Sequence, residues 1–237
     1  MTRWSALRVA TGGVLAAWAG LFWFLLATDR TALFLSSRTE WLVPSGAVLL
    51  TLAAIGRLAS ARTVPGGDGA DALTRRDAWT LGAIALPVVI LVAMPPVTLG
   101  TYAVGKRASF VGSSVGSSVR VVSGSLDFVD VAAAQSFDDA ARVLAKRAGE
   151  PIALDGIVSA TEGLPPDEFL LTRFIVTCCT ADATIAQVRV VGAPPGAFEP
   201  DQWVEVRGRI YPVGREVLVA AERVEAIPAP PDPYLTP

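Results

Sequence analysis

Cys178 and Cys179 stand side by side in the stretch RFIVTCCTADA (residues 173–183). The chain of 237 residues has no other cysteine and no histidine. A nucleophilic cysteine needs a neighbouring base or some other cause of a lowered pKa. With no imidazole, a Cys–His arrangement is excluded by composition, and Arg173 could favour a thiolate through its charge alone. A bridge between the pair would be strained, because successive Cα atoms lie about 3.8 Å apart while bridged cysteines usually lie about 4.4–6.8 Å apart. Strained bridges are easily reduced, and this one closes almost no loop, so it would act as a redox switch and not as a staple. The third chemistry is a soft metal ion. The chain offers two thiolates and carboxylates such as Asp182 to a closed site of four ligands, so a complete site needs a second chain, or the ion is held only in transit. One condition applies. Along a continuous strand adjacent side chains face opposite ways, so a bulge or turn must bring the sulfurs round. The plain alternative is a pair of small buried side chains at a strand end.

The cysteines close the second of five strand-like segments, at 151–161, 168–179, 185–191, 202–213 and 216–227. Several alternate apolar and polar residues, as half-buried strands do. In WVEVRGRI the alternation of Trp203, Val204 and Val206 is imperfect, and Gly208 marks a bulge. Five short strands predict a small barrel or sandwich, and an OB-like barrel is the nearest common solution. A helix, SFDDAARVLAKRAGE (136–150), precedes them. Ser136 is its cap, Asp138 and Asp139 sit at its positive end, Val143 and Leu144 form part of its apolar face, and Gly149 is its stop. The tail IPAPPDPYLTP is proline-enforced and extended. It is either a frayed terminus or a strip anchored on the domain or a partner by Tyr234 and Leu235. Residues 105–237 carry twelve Lys/Arg against seventeen Asp/Glu, which argues against nucleic acid as a partner.

The remainder of the chain is of another kind. Overall, 52% of residues are hydrophobic and mean hydropathy is +0.49, above the level of ordinary soluble domains. Residues 1–104 hold this excess in three uncharged runs, which predict membrane spans at about 9–27, 41–58 and 78–94. Trp18, Phe22, Trp23 and Phe24 crowd the far end of the first as interfacial anchors. The first run is longer than a signal-peptide core and reads as a retained helix. Pro44 falls in the first turn of the second span, where it is tolerated. TALFLSSRTE (31–40) between them reads as an interfacial turn or short helix. Pro87 interrupts the third span, and Pro95-Pro96 should end or bend it.

Arg3, Arg8, Arg57, Arg62, Arg75 and Arg76 lie on one side of this arrangement, against Arg30, Arg38, Lys106 and Arg107 on the other. The bias predicts a cytoplasmic N-terminus and an extracytoplasmic C-terminal domain; the membrane expected is the plasma (inner) membrane. Such a placement exposes the thiols to oxidising conditions. The loop 61–77 contains GGDG but follows no strand and lacks the order of a phosphate loop. Residues 105–125, rich in Gly and Ser, form a linker to the domain at 126–237, with added edge pairing a possibility offered by its valines.

The pieces PPVTLGTYA, LTRFIVTCCTADA, QWVEVRGRI and PDPYL, in that order over about residues 95–235, resemble the YcgQ-like family of uncharacterised bacterial membrane proteins, described as permease subunits. RFIVTCCTADA is the specific piece; the alanine-rich stretch at 132–150 departs from the family. The resemblance implies an integral membrane protein acting beside a larger multi-span permease, with no established substrate or catalytic residue and a proposed link to metal handling. Arg173, Cys178, Cys179 and Asp182 match the family motif, and Trp203 and Tyr234 fall in its other pieces. The expectation is a non-enzymatic accessory subunit whose outer domain presents the cysteine pair at the pore mouth. A membrane-anchored soft-metal or thiol redox-sensing protein is the alternative.

Overall fold

The structure, a computed structural model, describes residues 5–61, 73–93, 98–106, 125–160 and 163–236. It divides into two compact units, Met1–Thr31 with Thr39–Val97 and Ala32–Arg38 with Thr98–Pro237. The GGDG motif, Pro95-Pro96 and nearly all of the Gly/Ser linker lie outside the described residues.

The first unit holds α1 (Ala6–Ala27), α2 (Leu42–Ser60) and α3 (Arg75–Ala93), each long and apolar enough to cross a membrane. α1 starts earlier than its uncharged run because Ser5 caps it, its hydroxyl accepting the Arg8 N–H at 3.3 Å. α1 and α2 pack where small residues allow it. A Cβ added at Gly12 would come within 2.7 Å of Leu58, and one at Gly46 within 2.7 Å of Phe22. Polar side chains also join the helices. Arg57 Nε donates to Thr11 Oγ1 at 2.9 Å, and Trp23 Nε1 donates to Thr51 Oγ1 at 3.2 Å. Pro87 stays within α3. It removes the N–H that would meet the Ala83 carbonyl, and the Trp18 indole donates to the adjacent Ile84 carbonyl at 3.1 Å.

The second unit departs from expectation before its first strand. The segment 136–150 is not one helix. α5 (Phe128–Ser136) opens on Asp127, whose carboxylate accepts from Val129 and Asp130 while the Asp130 carboxylate accepts the Asp127 N–H at 3.1 Å. Ser136 ends this helix instead of capping the next, and its hydroxyl donates back to the Ala132 carbonyl at 2.9 Å. Extended Phe137 breaks the chain direction, and α6 is only Asp138–Ala145. A short helix, α4 (Thr101–Val104), lies upstream. Asp201, in the left-handed region at φ 68°, accepts from the Thr101 N–H and hydroxyl at its start.

Strands β1 (Pro151–Ala160), β2 (Glu168–Ile175), β3 (Thr184–Val191), β4 (Trp203–Val213) and β5 (Glu216–Ala226) close a five-stranded barrel. β1 pairs antiparallel with β2 and β4, β2 with β3, and β4 with β5, while β3 and β5 run parallel. This is in keeping with the OB-like barrel expected. The bulge expected at Gly208 falls between Arg207 and Gly208 in the β4–β5 ladder. A Cβ there would run into the Ala220 carbonyl, so only glycine fits. The main core joins Leu171, Val188, Val190, Val204, Val206, Ile210 and Val219 to Val131 and Leu144 of the helix pair.

A second cluster, Ile157, Phe174, Val176, Ile185, Trp203 and Tyr234, receives Leu99 and Val104 from around α4. The tail is not frayed. Tyr234 and Leu235 form β6, parallel to β2 at Phe174 and Ile175, and the Val176 N–H donates to the Leu235 carbonyl at 2.8 Å.

Candidate functional site

β2 does not run through the cysteines. It stops at Ile175, and eight residues separate it from the start of β3 at Thr184, because the Asp182 carboxylate turns the chain. Asp182 Oδ1 accepts the Thr177 N–H at 3.0 Å, and Oδ2 accepts those of Cys178 at 2.9 Å and Cys179 at 3.5 Å. A single 3-10 turn, Thr180–Asp182, follows. The result is the turn that the sequence required for a shared site: the two sulfurs lie 3.6 Å apart, and the ligand atoms of Cys178, Cys179 and Asp182 all lie within 4.8 Å of one another. The alternative of two buried side chains at a strand end is overturned, since Cys178 is exposed and Cys179 half-exposed.

The two thiols are not joined in a disulfide, and the surroundings of Cys178 favour its protonated form. The hydrogen bond from Cys178 to the Asp182 carboxylate, then that with Cys179, pushes the Cys178 thiol up to about 12. Partial burial pushes Asp182 up, but the Cys178 thiol and the three backbone N–H groups outweigh it and hold the carboxyl below its ordinary value. Cys178 is therefore a protonated thiol at neutral pH, unlike an activated nucleophile. A cation held beside this thiol would favour the Cys178 thiolate instead.

Arg173 lies on β2, 5% exposed, and does a different job. It is paired with the Asp155 carboxylate and donates to the Asp155 carbonyl at 3.2 Å and the Asp232 carbonyl at 2.9 Å. Its guanidinium lies over the Trp203 ring, 4.9 Å from the centroid. The three motif residues Arg173, Trp203 and Tyr234 thus meet at the second hydrophobic cluster. Tyr234 stacks edge-on against Phe174, accepts the Leu99 N–H at 3.1 Å and donates to the Leu33 carbonyl at 3.2 Å. Burial pushes its phenol up.

Residues 126–237 match the family model described as the DUF1980 C-terminal domain. That family is uncharacterised, and the match covers the helix pair, the barrel and the tail. No curated protein matches the chain.

The segment 31–40 does open with the short helical turn expected, at Thr31–Leu33, but sequence reasoning missed that Ala32–Arg38 packs with this domain. Leu35 forms an antiparallel bridge with Cys179, the Ser36 N–H donates to the Cys178 carbonyl at 3.2 Å, and the Thr180 N–H donates to the Phe34 carbonyl at 2.9 Å. No local pattern announces contacts between residues this far apart in sequence. Asp155 and Asp232, the partners of Arg173, were missed for the same reason.

Proposed function

We propose that this protein is a membrane-anchored, non-enzymatic accessory subunit that holds a thiophilic divalent cation on the Cys178–Cys179 turn and works beside a multi-span transport partner. The observation that carries the reading is the convergence of two sulfurs and the Asp182 carboxylate on one side of one turn. Two sulfurs 3.6 Å apart, each about 2.3 Å from an ion, subtend about 103° at it. That angle is near tetrahedral. A linear two-thiolate ion at the same bond length would hold them about 4.6 Å apart. Asp182 is the third ligand, and water, a partner residue or the transported ion's next host completes the shell.

The anchoring half of the reading rests on α1, α2 and α3. Their ionisable residues, Arg8, Arg57, Arg75, Arg76 and Asp77, all fall near helix ends, and solute paths usually carry ionisable groups within the membrane. The path is therefore assigned to a partner, in line with the resemblance to permease subunits. Ala32–Arg38 belongs to the same unit as Thr98–Pro237. If all three helices cross the bilayer, the connection after α1 and the barrel after α3 come out on the same side, which agrees with the count. The arginine bias makes that side extracytoplasmic.

Titration of the detergent-purified chain with Cd²⁺, followed by thiolate-to-cadmium absorption, tests the cation. One ion per chain is expected, with absorption lost in the C178S/C179S double variant. A chain that binds no ion, or binds it equally well without the thiols, would contradict the proposal. Recovery of the tagged protein from mild detergent without a multi-span companion would contradict the transport partnership.

A further inference from the structure

The hydrogen bonds of the cysteine turn divide between two masters. Three consecutive peptide units are involved. The 177–178 unit directs its N–H, that of Cys178, to Asp182, and its Thr177 carbonyl accepts the Ser36 hydroxyl at 2.8 Å. The 178–179 unit directs the Cys179 N–H to Asp182, and its Cys178 carbonyl accepts the Ser36 N–H at 3.2 Å. In the 179–180 unit, the Cys179 carbonyl accepts the Asp182 N–H at 3.0 Å, and the Thr180 N–H donates to the Phe34 carbonyl. Each unit is planar, so its two ends move together. Whatever turns the Asp182 side of these planes also turns the side that holds residues 34–36.

We propose that the segment Ala32–Arg38 is a strap that reads the occupancy of the cysteine turn. The inference rests on the cation reading above. An ion that takes the Asp182 carboxylate draws Oδ2 away from the Cys178 and Cys179 N–H groups. The two planes then rotate and loosen the bonds to Ser36. Ser36 is 2% exposed, so water does not readily replace its lost partners. The strap is also held at its flanks, at Leu33 by the Tyr234 hydroxyl and at Ser37 by a 3.3 Å contact with the Thr236 hydroxyl. Loosening is therefore centred on residues 34–36. The strap is continuous in sequence with α1 and α2, so the site's state passes directly to the connection between the two helices.

Coupling of this kind is reciprocal. If binding weakens the strap, a weakened strap must strengthen binding. Ser36→Ala removes the hydroxyl bond to Thr177 and keeps the backbone bond to Cys178. Loss of one such bond corresponds to about three- to tenfold in an equilibrium constant, so Cd²⁺ affinity should rise by about fivefold in the full-length variant. Hydrogen exchange of the wild-type chain gives a second readout independent of any variant's folding. The Ser36 and Thr180 amides should exchange several-fold faster with Cd²⁺ bound, and not in C178S/C179S. Affinity unchanged or reduced in S36A, or saturated Cd²⁺ binding with strap exchange unchanged, would overturn the strap and leave the cation site standing. A wild-type chain that binds no Cd²⁺ would overturn both.

Discussion

Replacing Arg173 by alanine separates a structural tie from a ligand-binding group. The guanidinium joins β1 through Asp155, the tail through the Asp232 carbonyl and β4 through the Trp203 ring. Its stacking on a desolvated indole contributes about 2 kcal/mol. Hydrogen bonds from a charged donor to carbonyls contribute about 1.5–3 kcal/mol each, discounted here because Asp232 is exposed and water can replace the arginine. The ion pair adds little, about 0–1 kcal/mol, since the Asp155 side chain is 45% exposed and rehydrates. The loss comes to about 3 kcal/mol, and the thermal midpoint of the barrel should fall by about 10–20 °C. Thermal unfolding of the full chain in detergent, followed by tryptophan fluorescence, measures it. Arg173→Lys keeps the charge but not the planar fork and should lose about half as much. Cd²⁺ affinity below the unfolding transition should be unchanged in both. An alanine variant of wild-type stability, or one that folds but loses the cation, would refute the assignment of Arg173 as a tie.

Gly208→Ala should fail to give a folded barrel, or cost about 3 kcal/mol or more, because the added Cβ meets the Ala220 carbonyl and not a side chain that can move; circular dichroism of the purified variant decides it. Asp182→Asn should weaken Cd²⁺ binding about tenfold, by removing the ionised ligand while keeping an acceptor for the turn, as read by the same titration. Without metal, maleimide should label Cys178 at neutral pH at least tenfold more slowly than a free cysteine, since only thiolate reacts and its thiol is pushed up to about 12. The folded pKa lies above the ordinary 9.0, so this thiol's contribution is present below about pH 9 and is lost as pH rises towards 12. Asp182, held low, contributes above its ordinary 3.8 and loses that contribution as pH falls through its folded value. Denaturation midpoints across both pH ranges check the two signs.

The barrel strands were largely legible because apolar alternation is local: 151–161, 185–191, 202–213 and 216–227 fall within a residue of β1, β3, β4 and β5. The three apolar helices were legible from length and composition. β2 is four residues shorter than the expected 168–179, because VTCC continues its apolar character while the real terminator, Asp182, acts backwards from several residues on. A carboxylate three residues after Cys179 was the available signal. The helix pair was not legible as a pair because the expected helix, 136–150, starts where α5 ends, and the stretch between the linker and Ser136 carries no strong amphipathic pattern. Asp127 and Asp130, bracketing the start of an apolar run, were the capping-box signature that reveals it. β6 is two residues long and exists only through its pairing with β2. The strap at 32–38 likewise has no local signature, and its order comes from bonds to residues near 178 and 234.

X-ray absorption on the full-length chain loaded with one equivalent of Zn²⁺ tests the central claim most directly. The account predicts two sulfur neighbours at about 2.3 Å with oxygen completing a four-coordinate shell. An ion surrounded by oxygen alone, or a sulfur shell that persists in the C178S/C179S variant, would contradict it.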